Sequence, residues 1–156
     1  MTGLLLFAST LALTAALAVG PLRPAIEVRD WDDDGRVVQT MSLEDGGTFS
    51  LQFTHSMYGG TVTERFRVLE PDAAAFERST VQTENGGAAE YYAPLGNFHR
   101  QSATTWSVDV DSMRLPQLLV SAQRIANPAI VSGKNRLALD SVLPEGHVAE
   151  LVPVYH

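Results

Sequence analysis

The sequence predicts an all-β fold: an antiparallel β-sandwich or barrel-like domain, preceded by one N-terminal hydrophobic helix that is either transmembrane or part of a signal peptide. Three observations lead to this prediction. The chain begins with an uncharged apolar run, side chains after Pro24 alternate between apolar and polar, and Gly, Asn and Asp residues separate the alternating stretches. We therefore divide the chain into a membrane anchor or signal segment, residues 1–24, and a single β-rich domain, residues 25–156.

The apolar run covers residues 4–19, LLLFASTLALTAALAV, and Gly20-Pro21 ends any helix formed there. Two interpretations stay open. A cleaved signal peptide has a candidate cleavage site in the Ala-Leu-Ala stretch at 16–18. A membrane anchor needs about 20 apolar residues, a length that residues 1–20 barely reach. We favour the anchor, and both interpretations place the rest of the chain on the periplasmic or external side of a membrane.

The β-strands of the domain are predicted from the alternation of side chains, because successive residues of a strand point to opposite faces of the sheet. The predicted strands are 25–30, 36–43, 48–55, 61–69, 74–83, 105–110, 117–123, 135–140 and 147–154. Turn-forming pairs such as Asp34-Gly35 and Gly59-Gly60 separate them, and the Asn85-Gly86-Gly87 stretch is also interpreted as a turn. We expect no long helix in this domain, and the alanines at 73–75 are interpreted as part of a loop.

Composition excludes several classes of function. The chain has 156 residues, a net charge of −7 and no cysteine. An acidic chain without a basic stripe is not expected to bind nucleic acid, because phosphate contacts dominate that affinity. The lack of cysteine excludes disulfides, thiolate metal sites and cysteine nucleophiles. The sequence also lacks the nucleophile-elbow, P-loop, Rossmann and H-E-x-x-H motifs, so we do not expect an enzyme.

Two ionisable residues interrupt the apolar face of a predicted hairpin. In the strand 48–55 the apolar face is odd-numbered and His55 continues it, whereas in 61–69 it is even-numbered and contains Glu64. With a reversal at 57–60, the two side chains are predicted to lie opposite or diagonal to each other, within direct or one-water reach.

Two interpretations of this pair stay open. In one, His55 and Glu64 form a satisfied core pair that fixes the register of the hairpin. In the other, they belong to a polar pocket: a metal half-site, a ligand clamp, or a general acid–base pair with Ser56 nearby. A Ser–His nucleophile pair is not expected, because neighbouring residues of a strand point to opposite faces.

The residues around this hairpin resemble the domain of unknown function 1850 family. The run Phe49-x-Leu51-x-Phe53-x-His55-Ser56, with Glu64 nine residues after the His, is similar to that family's F-x-L-x-Y-x-H-S run and following Glu. A second stretch, residues 82–88 (QTENGGA), stands where the family often carries a glycine-rich turn.

The resemblance implies a location and a role. Members of the family are associated with TRAP-type transporters of the TAXI class, and their usual hydrophobic start corresponds to residues 4–19. The resemblance therefore implies a non-catalytic, membrane-anchored accessory or binding domain. Its expected partners are the membrane and a transporter permease or solute-binding protein. Two alternatives are a structural subunit of a larger membrane or envelope complex and a metal-assisted enzyme that uses His55 and Glu64.

One further motif suggests a metal. Asp30-x-Asp32-x-Asp34-Gly35 has the form of the start of a calcium loop, in which alternate carboxylates converge on Ca²⁺. The bidentate Glu of an EF-hand is missing, because its place in the loop is taken by Met41. We therefore interpret the motif as an acidic hairpin turn, with weak calcium binding as the alternative.

The remaining candidate residues are interpreted as structural. His99, His147 and His156 show no ligand spacing with each other or with His55, so solvated or structural roles are expected. The aromatic residues that stand out are interpreted as core, with the lining of a ligand pocket as the alternative; they are Tyr91, Tyr92 and Trp106.

Overall fold

A computed structural model of the chain describes residues 22–44, 46–69 and 75–156, apart from the side chain of Ser112. The hydrophobic segment at 4–19 and the alanines at 73 and 74 lie outside the described residues. The strands of the described part are β1 Pro24–Asp30, β2 Arg36–Ser42, β3 Thr48–Thr54, β4 Thr61–Val68, β5 Phe76–Thr83, β6 Gly96–Arg100, β7 Trp106–Leu115, β8 Leu118–Ser121, β9 Ala129–Ser132, β10 Asn135–Ala138 and β11 Val148–Tyr155.

These strands form two sheets in which all pairings are antiparallel. One sheet has four strands in the order β2-β1-β11-β8, and the other has seven in the order β10-β9-β3-β4-β5-β7-β6. The prediction of an all-β fold is confirmed for the described residues. No helix among them is long and apolar enough to cross a membrane.

The seven-stranded sheet buries two separate apolar clusters on its inner face. The larger cluster is shared with the four-stranded sheet: Ile26 and Leu151 of that sheet join Phe49, Phe66 and others. Such a shared core between two stacked sheets is the arrangement of a β-sandwich. The smaller cluster lies beside it, where Val62 and Val81 are covered by a short helix rather than by the second sheet.

This helix, α1 (Gly86–Tyr92), was not predicted from the sequence, because its first residues were interpreted as a turn. Asn85 caps it, because the Asn85 side-chain oxygen accepts a hydrogen bond from the Gly87 N–H at 2.9 Å. The helix buries Ala88, Ala89 and Tyr92, and continues into a 3₁₀ turn, Ala93–Leu95. The short strands β6 and β9 were also missed.

A β-bulge in β5 decides which of its residues face the core. Val81 and Thr83 are buried, so a strict period of two would turn Arg78 outward. In the pairing of β4 with β5, the neighbouring residues Arg65 and Phe66 pair with Thr80 and Arg78, which leaves Ser79 as the extra residue. Phe76 and Arg78 are thereby placed on the same face as Val81, next to the inner face of β4.

Candidate functional site

The site begins with an ion pair between the two apolar clusters. Arg78 Nη1 donates to Glu64 Oε2 at 3.2 Å, and the two side chains are only 15% and 10% exposed. Glu64 lies between Val62 of the smaller cluster and Phe66 of the larger one along β4. Arg78 Nη2 contacts the sulfur of Met113 at 3.7 Å. Its Nε–H is buried and has no acceptor among the described residues.

Tyr92 of α1 completes the surroundings of Glu64. Its hydroxyl donates a hydrogen bond to the Glu64 carboxylate. Burial raises the pKa of Tyr92 above its ordinary value, and the negative charge and the hydrogen-bond acceptance of Glu64 raise this pKa further. Tyr92 is therefore held neutral, as a donor, and Glu64 is bonded from two sides by Arg78 and Tyr92.

His55 lies in the turn immediately after β3, surrounded by aromatic rings. Its ring centroid is 5.1 Å from that of Tyr58, 5.6 Å from that of Tyr91 and 6.3 Å from that of Tyr92. The His55 Nδ1 accepts hydrogen bonds from the backbone N–H groups of Met57 and Tyr58, each at 3.3 Å. Nδ1 is thus an acceptor, and the proton of the neutral ring lies on Nε2.

The prediction that His55 and Glu64 lie opposite or diagonal to each other is wrong. The register of β3 with β4 places Leu51, not His55, opposite Glu64, and the strand ends at Thr54. The alternation that carried the prediction does not extend past the strand end, because the chain turns at His55. The two residues are nevertheless linked, since Tyr92 bonds to Glu64 and its ring lies against that of His55. Ser56 is exposed in the turn.

The turn after β3 is fastened to the start of α1. Asn85 Nδ2 donates to the backbone oxygen of Tyr58 at 2.7 Å. A Cβ atom added to Gly87 would lie 2.7 Å from Cδ1 of Tyr58, so only glycine leaves room for that ring. The turn that follows the His55-Ser56 block is therefore in direct contact with the stretch 82–88.

Around His55 this contact creates an exposed aromatic surface, here called the tyrosine patch: His55, Met57, Tyr58 and Tyr91. Met57 is 74% exposed, Tyr58 42% and Tyr91 64%. The interpretation of Tyr91 as a core residue is wrong, whereas Tyr92 is buried. Trp106 lies outside the patch and packs against Gly86. The guanidinium carbon of Arg100 lies over the Trp106 ring, 5.6 Å from its centroid.

A cleft opens on the other side of the ion pair, beside the short edge strand β8. Its volume is about 370 Å³. Glu64 and Arg78 line it together with mostly apolar side chains, namely Leu51, Phe53, Phe66, Leu118, Leu119, Val120, Ser121, Ala126 and Pro128. Phe53 packs against both apolar clusters and so stands between the cleft and the His55 turn.

The predicted acidic hairpin turn is present between β1 and β2. The backbone oxygen of Asp30 accepts the N–H groups of Asp33 at 3.2 Å and Gly35 at 2.9 Å. The structure brings Asp30 and Asp32 together, but the third member of their cluster is His147, not Asp34. Sequence spacing gave no sign of this, because His147 comes from the other end of the chain.

The other two histidines lie apart from these groups. His99 Nε2 is 3.2 Å from an Asp109 carboxylate oxygen, and both side chains are more than half exposed. The backbone of His156 pairs with that of Arg23, which fastens the C-terminal residue beside β1.

Comparison of the chain with protein-family models, curated proteins and solved structures gave no match. The resemblance to the domain of unknown function 1850 family therefore stays a hypothesis that depends on the residues quoted for it.

Proposed function

We propose that this chain is a non-catalytic accessory domain that binds a partner protein outside the cytoplasm. Residues 4–19 hold it at the membrane, and the partner is the permease or the solute-binding protein of a TAXI-type TRAP transporter. The family resemblance supports the class of partner. The observation that carries the binding role is the tyrosine patch, a surface of exposed aromatic and Met side chains fixed by ring contacts and by the hydrogen bond from Asn85 to Tyr58.

The residue types of the patch suit a protein interface. Tyr and Met are enriched at the centres of interfaces, where Tyr contributes a large contact area and loses little conformational freedom. Tyr58 is restrained by Gly87 and Asn85, and Tyr91 by edge contacts with His55 and with Tyr92 at 5.3 Å. A surface arranged in this way before binding requires less ordering when the partner arrives.

The same contacts favour binding over acid–base chemistry. Nδ1 of His55 is occupied by two backbone N–H groups. The Glu64 carboxylate is bonded by Arg78 and Tyr92. A metal-assisted enzyme needs ligand atoms that are free to coordinate, so the alternative that uses His55 and Glu64 receives less support than the accessory role.

Co-purification from native membranes tests the proposal. The tagged full-length chain, extracted in mild detergent, is expected to retain a TRAP permease or solute-binding protein, identified by mass spectrometry. Two single variants, Tyr58→Ala and Tyr91→Ala, should each abolish that retention. The control variants are Trp31→Ala and Ile125→Ala, which remove side chains that are 51% and 74% exposed elsewhere on the surface, and both should retain the partner.

Other outcomes contradict the proposal. If the wild-type chain retains neither transporter protein, the accessory role is wrong. If it retains the subunits of a different membrane complex, the structural-subunit alternative replaces it. If all four alanine variants lose the partner equally, or none does, the tyrosine patch is not the interface.

The cleft favours a second candidate function, the binding of a small molecule. Its volume lies at the lower end of the range for ligand pockets, and it combines apolar walls with one carboxylate and one guanidinium. An amphiphile with a charged group and a small apolar body has the matching chemistry. Thermal-shift screening with free amino acids and short-chain carboxylates tests it: a stabilising compound should lose its effect in Leu118→Trp, which fills the cleft without altering the ion pair.

A further inference from the structure

A second cluster of potential ligands lies at the end of β1, away from the tyrosine patch. The carboxylates of Asp30 and Asp32 and the imidazole of His147 each offer one ligand atom, and these atoms all lie within 4.8 Å of one another. Both oxygens of Asp30 are 3.0 Å from His147 Nδ1. This group combines the carboxylate oxygens of Asp30 and Asp32 with an imidazole nitrogen from a distant part of the chain, which distinguishes it from a patch of surface acids.

The fold fixes the three side chains. Asp30 is paired with Ala149 in the β1–β11 ladder, so His147 enters β11 directly beside it. Asp32 is held in the hairpin turn, where its Oδ2 accepts the Val148 N–H at 2.7 Å and its own N–H donates to Asp30 Oδ1 at 3.2 Å. The positions of all three ligand groups therefore follow from backbone pairing and turn geometry.

The buried Asp30 carboxylate is hydrogen-bonded to His147 Nδ1 and to the Asp32 N–H, and its low exposure makes a positive charge favourable at this place. Asp30 is 1% exposed, and a buried carboxylate is costly unless a cation or strong donors face it. Arg36 of the turn is hydrogen-bonded to Asp33 at 2.5 Å, and its positive charge also acts on Asp30. The side chain that faces Asp30 is His147, which is 35% exposed and so leaves the cluster open to solvent on one side.

We propose that Asp30, Asp32 and His147 bind a divalent transition-metal ion of the Zn²⁺ or Mn²⁺ class. The Asp30 oxygens lie 3.0 Å from His147 Nδ1, which is a hydrogen-bond distance, so a metal ion bound between them would take the place of the shared proton. An imidazole ligand suits transition metals better than Ca²⁺, which takes oxygen ligands. The site differs from the calcium loop suggested by the sequence because it replaces Asp34 with His147.

Titration calorimetry on the full-length chain, stripped of metal with a chelator, tests the site. ZnCl₂ and MnCl₂ are titrated separately, with CaCl₂ in parallel. We expect one saturable site for at least one of the two transition metals, with tighter binding than for Ca²⁺. His147→Gln and Asp32→Asn should each weaken that binding by about tenfold or more. Both substitutions lie at positions that are partly open to solvent, so circular dichroism should show an intact fold. Asp30 is not replaced, because a change at this buried residue would affect folding as well as metal binding.

Asp34→Asn is the matched control, because it removes an equal charge from the same turn without touching the cluster. It should leave the affinity within about twofold of wild type. The proposal is overturned if neither transition metal binds saturably, or if His147→Gln binds as tightly as wild type. It is also overturned if Asp34→Asn weakens binding as much as Asp32→Asn, since that result would indicate the calcium-loop ligand set instead.

Discussion

Arg78 reaches across from β5 to bond Glu64 of β4, with Nη1 and Oε2 separated by 3.2 Å. This ion pair lies where the inner face of the large sheet changes partners, from the four-stranded sheet on one side to α1 on the other. Because Glu64 is also bonded to Tyr92 of α1, the pair ties the helix to the sheet. The pair is connected to the tyrosine patch through Tyr92, whose ring contacts those of His55 and Tyr91.

Removal of either charge should destabilise the domain. Glu64→Gln leaves the Arg78 guanidinium without its carboxylate, and Arg78→Met leaves Glu64 without its cation, so each should lower the free energy of unfolding by about 3 kcal/mol. The double variant should cost less than the sum, because it leaves no unpaired charge behind. Urea unfolding of the four proteins checks this, and additive losses would show that the two side chains are not coupled.

Stability should fall at high pH through Tyr92. The ordinary pKa of the phenol is 10.0, and the folded state raises it. The stabilising contribution of the neutral phenol is therefore complete below pH 10 and is lost as the pH rises toward the folded-state pKa. Tyr92→Phe should flatten the decline by up to about 1.4 kcal/mol per pH unit between about pH 10 and 11.5. Tyr91→Phe is the control, and an equal flattening in both variants would refute the role of burial.

Gly87 should be required for the shape of the tyrosine patch. An added methyl group meets the Tyr58 ring at 2.7 Å, which outweighs the gain of about 0.5–1 kcal/mol that Ala brings to a helix. Gly87→Ala should destabilise the wild-type protein by about 1–3 kcal/mol. In a Tyr58→Ala background the same change should become neutral or stabilising. A loss that persists without the Tyr58 ring would mean that this contact is not the cause.

A reporter fused to the C terminus should be active only outside the cytoplasm, because the uncharged residues 4–19 are expected to insert into the membrane. Mass spectrometry of the mature N terminus then separates an intact anchor from a cleaved signal. Reporter activity in the cytoplasm would contradict the proposed location.

Sequence periodicity predicted the strands that lie between regular turns. Strand β4 alternates strictly, with Val62, Glu64, Phe66 and Val68 buried, and its predicted and observed limits differ by one residue. Such strands follow the apolar pattern closely because one face is in the core and the other is in water.

The parts of the site that the sequence did not predict depend on interruptions of that periodicity. Arg78 faces inward only because of the bulge at Ser79, and a bulge leaves no clear sign in a single sequence. Helix α1 begins with two glycines, which are poor helix formers, and it forms because Asn85 caps it and tertiary contacts cover it. His147 meets Asp30 through pairing of β1 with β11, a contact between distant parts of the chain.

Site-specific photo-crosslinking tests the central claim most directly. A photoreactive amino acid is placed at position 91, in the tyrosine patch, and separately at the exposed control position 125 of the full-length chain in its native membrane. We predict that position 91 crosslinks to a TRAP permease or solute-binding protein and that position 125 does not. Crosslinks to either transporter protein from position 125 but not from position 91, or to neither protein from both positions, would contradict the proposal that this domain binds a transporter through the tyrosine patch.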